Sequence, residues 1–102
     1  MAHEKYPSVE HDGHTYKLNM TRAGLRAAEA QGFTVTEMSE KPFSALTHLF
    51  FASLFSGYKL NPGRVGAMLD DLLEQKAVDF QALYEDLVEA YTELFGSGES
   101  EK

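Results

Sequence analysis

The segment that most constrains the fold runs from Pro42 to Gly57 and reads PFSALTHLFFASLFSG. Proline is tolerated in the first turn of a helix, where its missing N–H would have no partner, and glycine readily closes a helix. The spacing therefore predicts a helix between them. On a 100° wheel Phe43, Leu46, Phe50 and Leu54 form one stripe, Leu49 lies to one side, and Phe51 and Phe55 lie well to the other. A helix apolar on nearly every side is either the centre of a domain or exposes a ridge to a partner.

The flanking sequence supplies elements to surround it. From Tyr6 to Asn19 the pattern predicts a β-hairpin, with Tyr6, Val9 and Glu10 on one strand, His11-Asp12-Gly13-His14 at the turn and Thr15 to Leu18 on the other. Asp-Gly suits the positive φ of a type I′ turn, and Tyr16 and Leu18 give the second strand one apolar face. A two-stranded hairpin is marginal alone and must pack on something. Thr21 is a candidate N-cap for a helix over Arg22 to Gln31, with Gly32 as its terminator. Ala23, Ala27 and Ala30 share a face there that would admit a close neighbour. Gly32 to Lys41 reads as a connection with room for one helical turn capped by Thr34 or Thr36.

Two amphipathic helices follow. Asn61-Pro62 is a cap and first-turn pair, after which Val65, Met68, Leu69, Leu72 and Leu73 mark one face and Asp70, Asp71 and Glu74 the other. Asp79 can cap the last helix, whose apolar face is Phe80, Leu83, Tyr84, Leu87, Val88, Tyr91, Leu94 and Phe95, with Glu85, Asp86, Glu89 and Glu93 opposite. Gly96 is expected to end it. The expected class is mainly α: about four helices with a small N-terminal β-hairpin, α+β at the margin. Residues 1–95 are expected to form a single helical domain, with the hairpin over about 6–19, and residues 96–102 a polar flexible tail.

Charge narrows the choice of partner. The 102 residues carry a formal net charge of −7. Residues 1–51 are almost balanced, whereas residues 52–102 hold 4 basic and 10 acidic side chains. Phosphate backbones and anionic lipids need clustered Lys and Arg, so neither nucleic acid nor a membrane surface is an expected partner. The N-terminal sequence has no apolar signal-peptide core and no 18-residue apolar run occurs, so a soluble, cytosolic protein is expected. With no Cys there is no disulfide framework and no thiol nucleophile.

The chemical motifs are few. His11-x-x-His14 is short of the three converging donors that a metal requires, so no metal or other cofactor is expected. His48 falls on the polar side of its helix beside Ser44, where a partly exposed or capping role suffices. Asp70-Asp71 and Glu85-Asp86 point about 100° apart on a helix and read as solvated charge. No phosphate-cradling glycine loop or nucleophile elbow is present. Ser53-Leu54 lacks the preceding Asp of an acyl-carrier site, and the helix after Asn61 is too acidic for DNA recognition. No catalytic residue is assigned and the chain is not expected to be an enzyme. What remains is an aromatic surplus. Phe43, Phe51, Phe55 and Tyr58 are each core candidates singly, but together they exceed what one helix of a small domain needs, and they are the candidate partner-binding residues.

In order and pattern the chain resembles the small tail assembly chaperones of long-tailed, siphovirus-like phages and prophages. The resemblance rests on the hairpin ending Tyr16-Lys17-Leu18, the helix RAGLRAAEAQG, the aromatic helix PFSALTHLFFASL and the helix NPGRVGAMLDDLLE, and covers about Tyr6 to Phe95. It implies a non-enzymatic protein of the bacterial host cytoplasm that self-associates, holds the tape measure protein, helps recruit tail tube subunits and is absent from the mature virion. It also implies a longer frameshifted product, about which these residues say nothing. From the residues alone, the alternative is a small acidic regulatory or DNA-mimicking protein that binds a basic host or phage partner.

Overall fold

The computed structural model describes residues 8–99, with side chains as far as Leu94. Tyr6, the side chain of Phe95 and residues 100–102, all assigned above from sequence, lie outside the described residues. The elements in chain order are β1 (Ser8–His11), β2 (His14–Lys17), α1 (Arg22–Ala30), α2 (Glu37–Glu40), α3 (Pro42–Phe55), α4 (Pro62–Glu74) and α5 (Phe80–Glu99). The protein is mainly α with a small antiparallel hairpin, as the sequence predicts, and α2 is the single turn allowed for in the connection.

The nearly all-apolar helix is the axis. α1, α2, α4 and α5 each pack against α3, which buries Ala45, Leu46, Leu49, Phe50, Phe51, Ala52, Ser53 and Leu54. Its N-cap position, Lys41, makes no side-chain capping bond. That omission is affordable: a good cap is worth about 1 kcal/mol, whereas each fully buried Leu or Phe stabilises by roughly 1.5–3 kcal/mol. Leu25, Phe33, Val65, Met68, Leu69, Leu72, Val78, Leu83 and Leu87 complete the buried core around it.

α1 lies closest. A Cβ placed on Gly24 would stand 2.2 Å from the Ala52 carbonyl oxygen, so the two backbones are in direct contact. Small residues do admit the neighbour, but on a different face from the one expected. Gly24, Leu25 and Ala28 are buried, Ala27 is half-buried, and Ala23 and Ala30 are exposed. The reason is Leu25, the one large apolar side chain of the helix, whose burial turns the 24/25/28 face inward. Thr21 caps the helix, accepting from Gly24 N–H at 3.0 Å. Gly32 closes it at φ 109°, with Phe33 N–H bonding to Ala28 O and Gly32 N–H to Glu29 O. This is the Schellman pattern, and the residue after the glycine, Phe33, is buried.

The other helix ends follow their signals with two exceptions. Asn61 Oδ1 accepts from Arg64 N–H at 2.7 Å, and Asp79 Oδ2 from Ala82 N–H at 2.9 Å. α4 ends in a second Schellman pattern, Ala77 N–H to Leu72 O and Lys76 N–H to Leu73 O, but Lys76 occupies the left-handed position at φ 60° where glycine is usual. The second exception is α5, which passes through Gly96 and continues helical to Glu99, so residues 96–99 belong to the helix and not to a tail. A glycine stops a helix where the chain gains by turning, as Phe33 gains burial after Gly32. After Gly96 the sequence Ser97-Gly98-Glu99 has no apolar side chain to bury. Asp86 also departs from expectation. It is only 8% exposed, because three residues after Leu83 and one before Leu87 it falls on the flank of the buried face.

The hairpin pairs Val9 with Tyr16 and His11 with His14, and Asp12 at φ 53° and Gly13 at φ 78° form the expected turn. It docks through buried Val9 and half-buried Tyr16 and Leu18. Polar ties fix its position: Lys17 N–H donates to Tyr58 Oη at 2.8 Å, Asn19 N–H to Ser53 O at 2.8 Å, and His11 Nε2 to Asp71 Oδ2 at 2.8 Å. On the other side α2 is held by His48 Nδ1 donating to Glu37 Oε2 at 2.6 Å and by the Tyr84 hydroxyl donating to Met38 O.

Three outcomes follow from this packing. Helix propensity alone would make Gly24→Ala stabilising by about 1 kcal/mol, but the clash with Ala52 reverses the sign, and denaturant melts should show a loss of about 1–3 kcal/mol. Lys76→Gly relieves the left-handed strain and should gain up to about 1 kcal/mol in the same melts. Burial pushes the Tyr84 phenol above its ordinary value of 10.0, and burial followed by the charge of Glu29 does the same to Tyr91. A folded-state value above the unfolded one gives stability that is complete below pH ~10 and lost as pH rises through the folded value. Tyrosinate absorbance should therefore show a component above the ordinary range that Tyr84→Phe diminishes and denaturant abolishes.

Candidate functional site

The four aromatic residues singled out from sequence do not form one surface. Phe51 is 6% exposed and belongs to the core, with its ring edge-on to Phe55 at 5.9 Å. Its side of the helix is covered because α3 is surrounded, a fact that the wheel alone does not supply. Tyr58 is half-buried and braces the hairpin, accepting from Lys17 N–H and meeting Tyr16 edge-on at 5.1 Å. That leaves Phe43, 70% exposed, and Phe55, 43% exposed. They are twelve residues apart in α3, about 18 Å along the axis and about 120° around it.

Phe43 has company. Its ring lies 4.6 Å from that of Phe80, which in turn stacks on Tyr84 at 5.8 Å with planes 20° apart. Beside them is an open groove of about 540 Å³ lined by Phe43, Leu73, Lys76, Val78, Asp79 and Phe80. The first turn of α3, the last turn of α4 and the first turn of α5 meet here. Phe80 and Leu73 read from sequence as core-face residues. Their position at helix ends was the available signal that they reach past the core, since a terminal residue has neighbours along the axis on one side only. The charged lining residues are of opposite sign. Asp79 is committed to capping α5, and Lys76 is placed by its left-handed backbone.

A second hollow, about 500 Å³, lies between the hairpin and α4 and includes His11, Asp12, His14, Tyr16, Arg64 and Asp71. His11 is engaged with Asp71, and the His14 ring approaches Asp12 O at 3.3 Å. Among the described residues no group of three or more His, Asp or Glu could hold a metal ion. His48 is a structural tie rather than a free side chain, bonded to Glu37 and edge-on to Phe33 at 6.0 Å. The Phe43 groove is an open one in which an exposed aromatic ring and the apolar side chains of Leu73, Val78 and Phe80 stand beside the charged Lys76 and Asp79.

Among the described residues no helix is long and apolar enough to cross a membrane. No curated protein and no solved structure gives a significant match to the chain. The model of one family, a domain of unknown function designated DUF5055, matches residues 1–102, and the chain belongs to that family.

Proposed function

We propose that this chain is a non-enzymatic assembly chaperone that binds protein through the Phe43 end of α3. Its client on this reading is a long helical tape measure protein of a phage or prophage tail, with tail tube subunits as a further partner. The observation that carries the proposal is Phe43 itself, held in water against Phe80 at the rim of an apolar groove. Burying such a ring contributes roughly 1.5–3 kcal/mol, and among the described residues no element covers it. A chaperone needs apolar surface for its client and net charge for its own solubility, and a −7 chain with one preset aromatic patch fits both needs. The client and the site of action, the cytoplasm of a bacterial host with no place in the finished virion, come from the resemblance to tail assembly chaperones.

A second reading, an acidic regulatory or DNA-mimicking protein, draws on α5, which spans 20 residues without a Lys or Arg. The two separate in one experiment. Coexpression with a tape measure fragment should raise the soluble yield of that fragment several-fold, and Phe43→Ser should remove most of the increase while leaving the chaperone's own melting curve nearly unchanged. An identical soluble yield with and without this protein would sink the proposal. Salt-sensitive capture of a basic partner, indifferent to Phe43→Ser and Phe55→Ser, would favour the second reading.

A further inference from the structure

The hairpin and α4 form the two sides of a wedge. Cross-strand partners share a face, so Val9 and Tyr16, His11 and His14 all point the same way. Val9 is buried, whereas beside the turn the two sides part and leave the hollow of about 500 Å³, within the roughly 300–1,000 Å³ of small-ligand sites. One wall is aromatic, with the His14 and Tyr16 rings 6.2 Å apart and their planes 16° from parallel. The other is a stripe of α4, where Arg64, Ala67, Met68 and Asp71 recur at helical spacing. From this arrangement we infer that the hollow binds a single carboxylate carried on an aromatic or branched apolar body, with Arg64 as the residue that recognises the acid. The inference stands apart from the reading of the Phe43 patch.

The Arg64 guanidinium is uncommitted. Among the described residues Arg64 bonds through its backbone N–H to Asn61, and its side chain has neither hydrogen bond nor ion pair, in a chain with 16 Asp and Glu. The cause is local. The positions one turn further on, Ala67 and Met68, carry no acid, and Asp71, two turns and about 10.5 Å along the axis, has its Oδ2 engaged by His11 Nε2 at 2.8 Å. A guanidinium presents its donors in a planar fork that matches a carboxylate, so the ligand supplies the acceptor that the chain withholds. The apolar body has a place as well: Leu60 and Met68 line the hollow beside the aromatic wall, and the small side chain of Ala67 leaves the space between the walls open. Charge sets the limit on the ligand. The remaining charged lining residues are Asp12 and Asp71, so a second negative charge would meet like charge, and a monoacid is accepted where a phosphate or a diacid is not.

Titration of the full chain with N-acetyl-phenylalanine, followed by amide and imidazole NMR shifts, tests the inference. Saturable shifts are expected at the hairpin turn and along Arg64 to Asp71, with N-acetyl-phenylalanine amide and phenyl phosphate each binding about tenfold more weakly or worse. Arg64→Ala should raise the dissociation constant by about tenfold or more, and Arg64→Lys should recover part of the loss. Ala67→Leu, at an exposed helix position, fills the hollow without removing a donor; it should abolish the shifts and leave the melting curve nearly unchanged. Phe43→Ser should leave binding as it is. An acetylated tripeptide ending in phenylalanine separates the two sources of such a group: tighter binding than the single residue assigns the site to a chain terminus, and equal or weaker binding to a free small acid. The absence of a saturable shift with both probes would overturn the inference, as would binding that survives either Arg64→Ala or Ala67→Leu, or a preference for phenyl phosphate over the carboxylate.

Discussion

The backbone of α1 rests on the backbone of α3 at Gly24 and Ala52, and the placement of the other elements follows from that contact. The same stretch of α3 receives the chain entering α1: Asn19 N–H bonds to Ser53 O, and the Thr21 and Ser56 hydroxyls lie 2.7 Å apart. The hairpin, carried by that entering segment, is then secured through Tyr58 just beyond the helix. The C-terminal end of α3 is thus wrapped by hairpin and α1 together. Among the described residues, its N-terminal end has only the single turn of α2, Phe80 and the α4–α5 corner nearby. Phe43 is exposed because the fold spends its covering elements at the opposite end of the axis.

This asymmetry sets where charge is useful. The first turn of α3 carries no acid, whereas α4 and α5 present Asp70, Glu74, Glu85 and Glu93 outward. Their like charges oppose the approach of two copies through α4 and α5, and the repulsion is screened beyond about 8–10 Å at physiological salt. The groove beside Phe43 differs from those faces in carrying one lysine and one aspartate, Lys76 and Asp79.

Much of this was legible in the residues, and the failures have identifiable causes. Caps at Thr21, Asn61 and Asp79, the turn at Asp12-Gly13 and the stop at Gly32 are local bargains between a side chain or φ angle and orphan backbone groups, so sequence alone determines them. The shared face of Ala23, Ala27 and Ala30 follows from their spacing, but the face that packs is selected by the helix's one large apolar side chain, Leu25. Gly96 looked like Gly32, yet a stop also needs something to bury after the turn, which Phe33 supplies and Ser97-Gly98 does not. The aromatic surplus on α3 was visible, whereas its division into core Phe51, bracing Tyr58 and exposed Phe43 and Phe55 depends on which side of the axis each neighbour occupies. The partnership of Phe43 with Phe80 joins residues 37 positions apart, and no local pattern encodes it.

On the proposed function, α3 is covered at its C-terminal end and meets protein at its N-terminal end. Hydrogen–deuterium exchange of the full chain, with and without a saturating tape measure fragment, reads this directly. Added protection should concentrate in the first turn of α3 around Phe43 and in the Leu73 to Phe80 corner, with the hairpin and the Phe55 end of α3 unchanged. Protection confined to the hairpin or to Phe55 and Tyr58, with the Phe43 end exchanging as in the free protein, would contradict it.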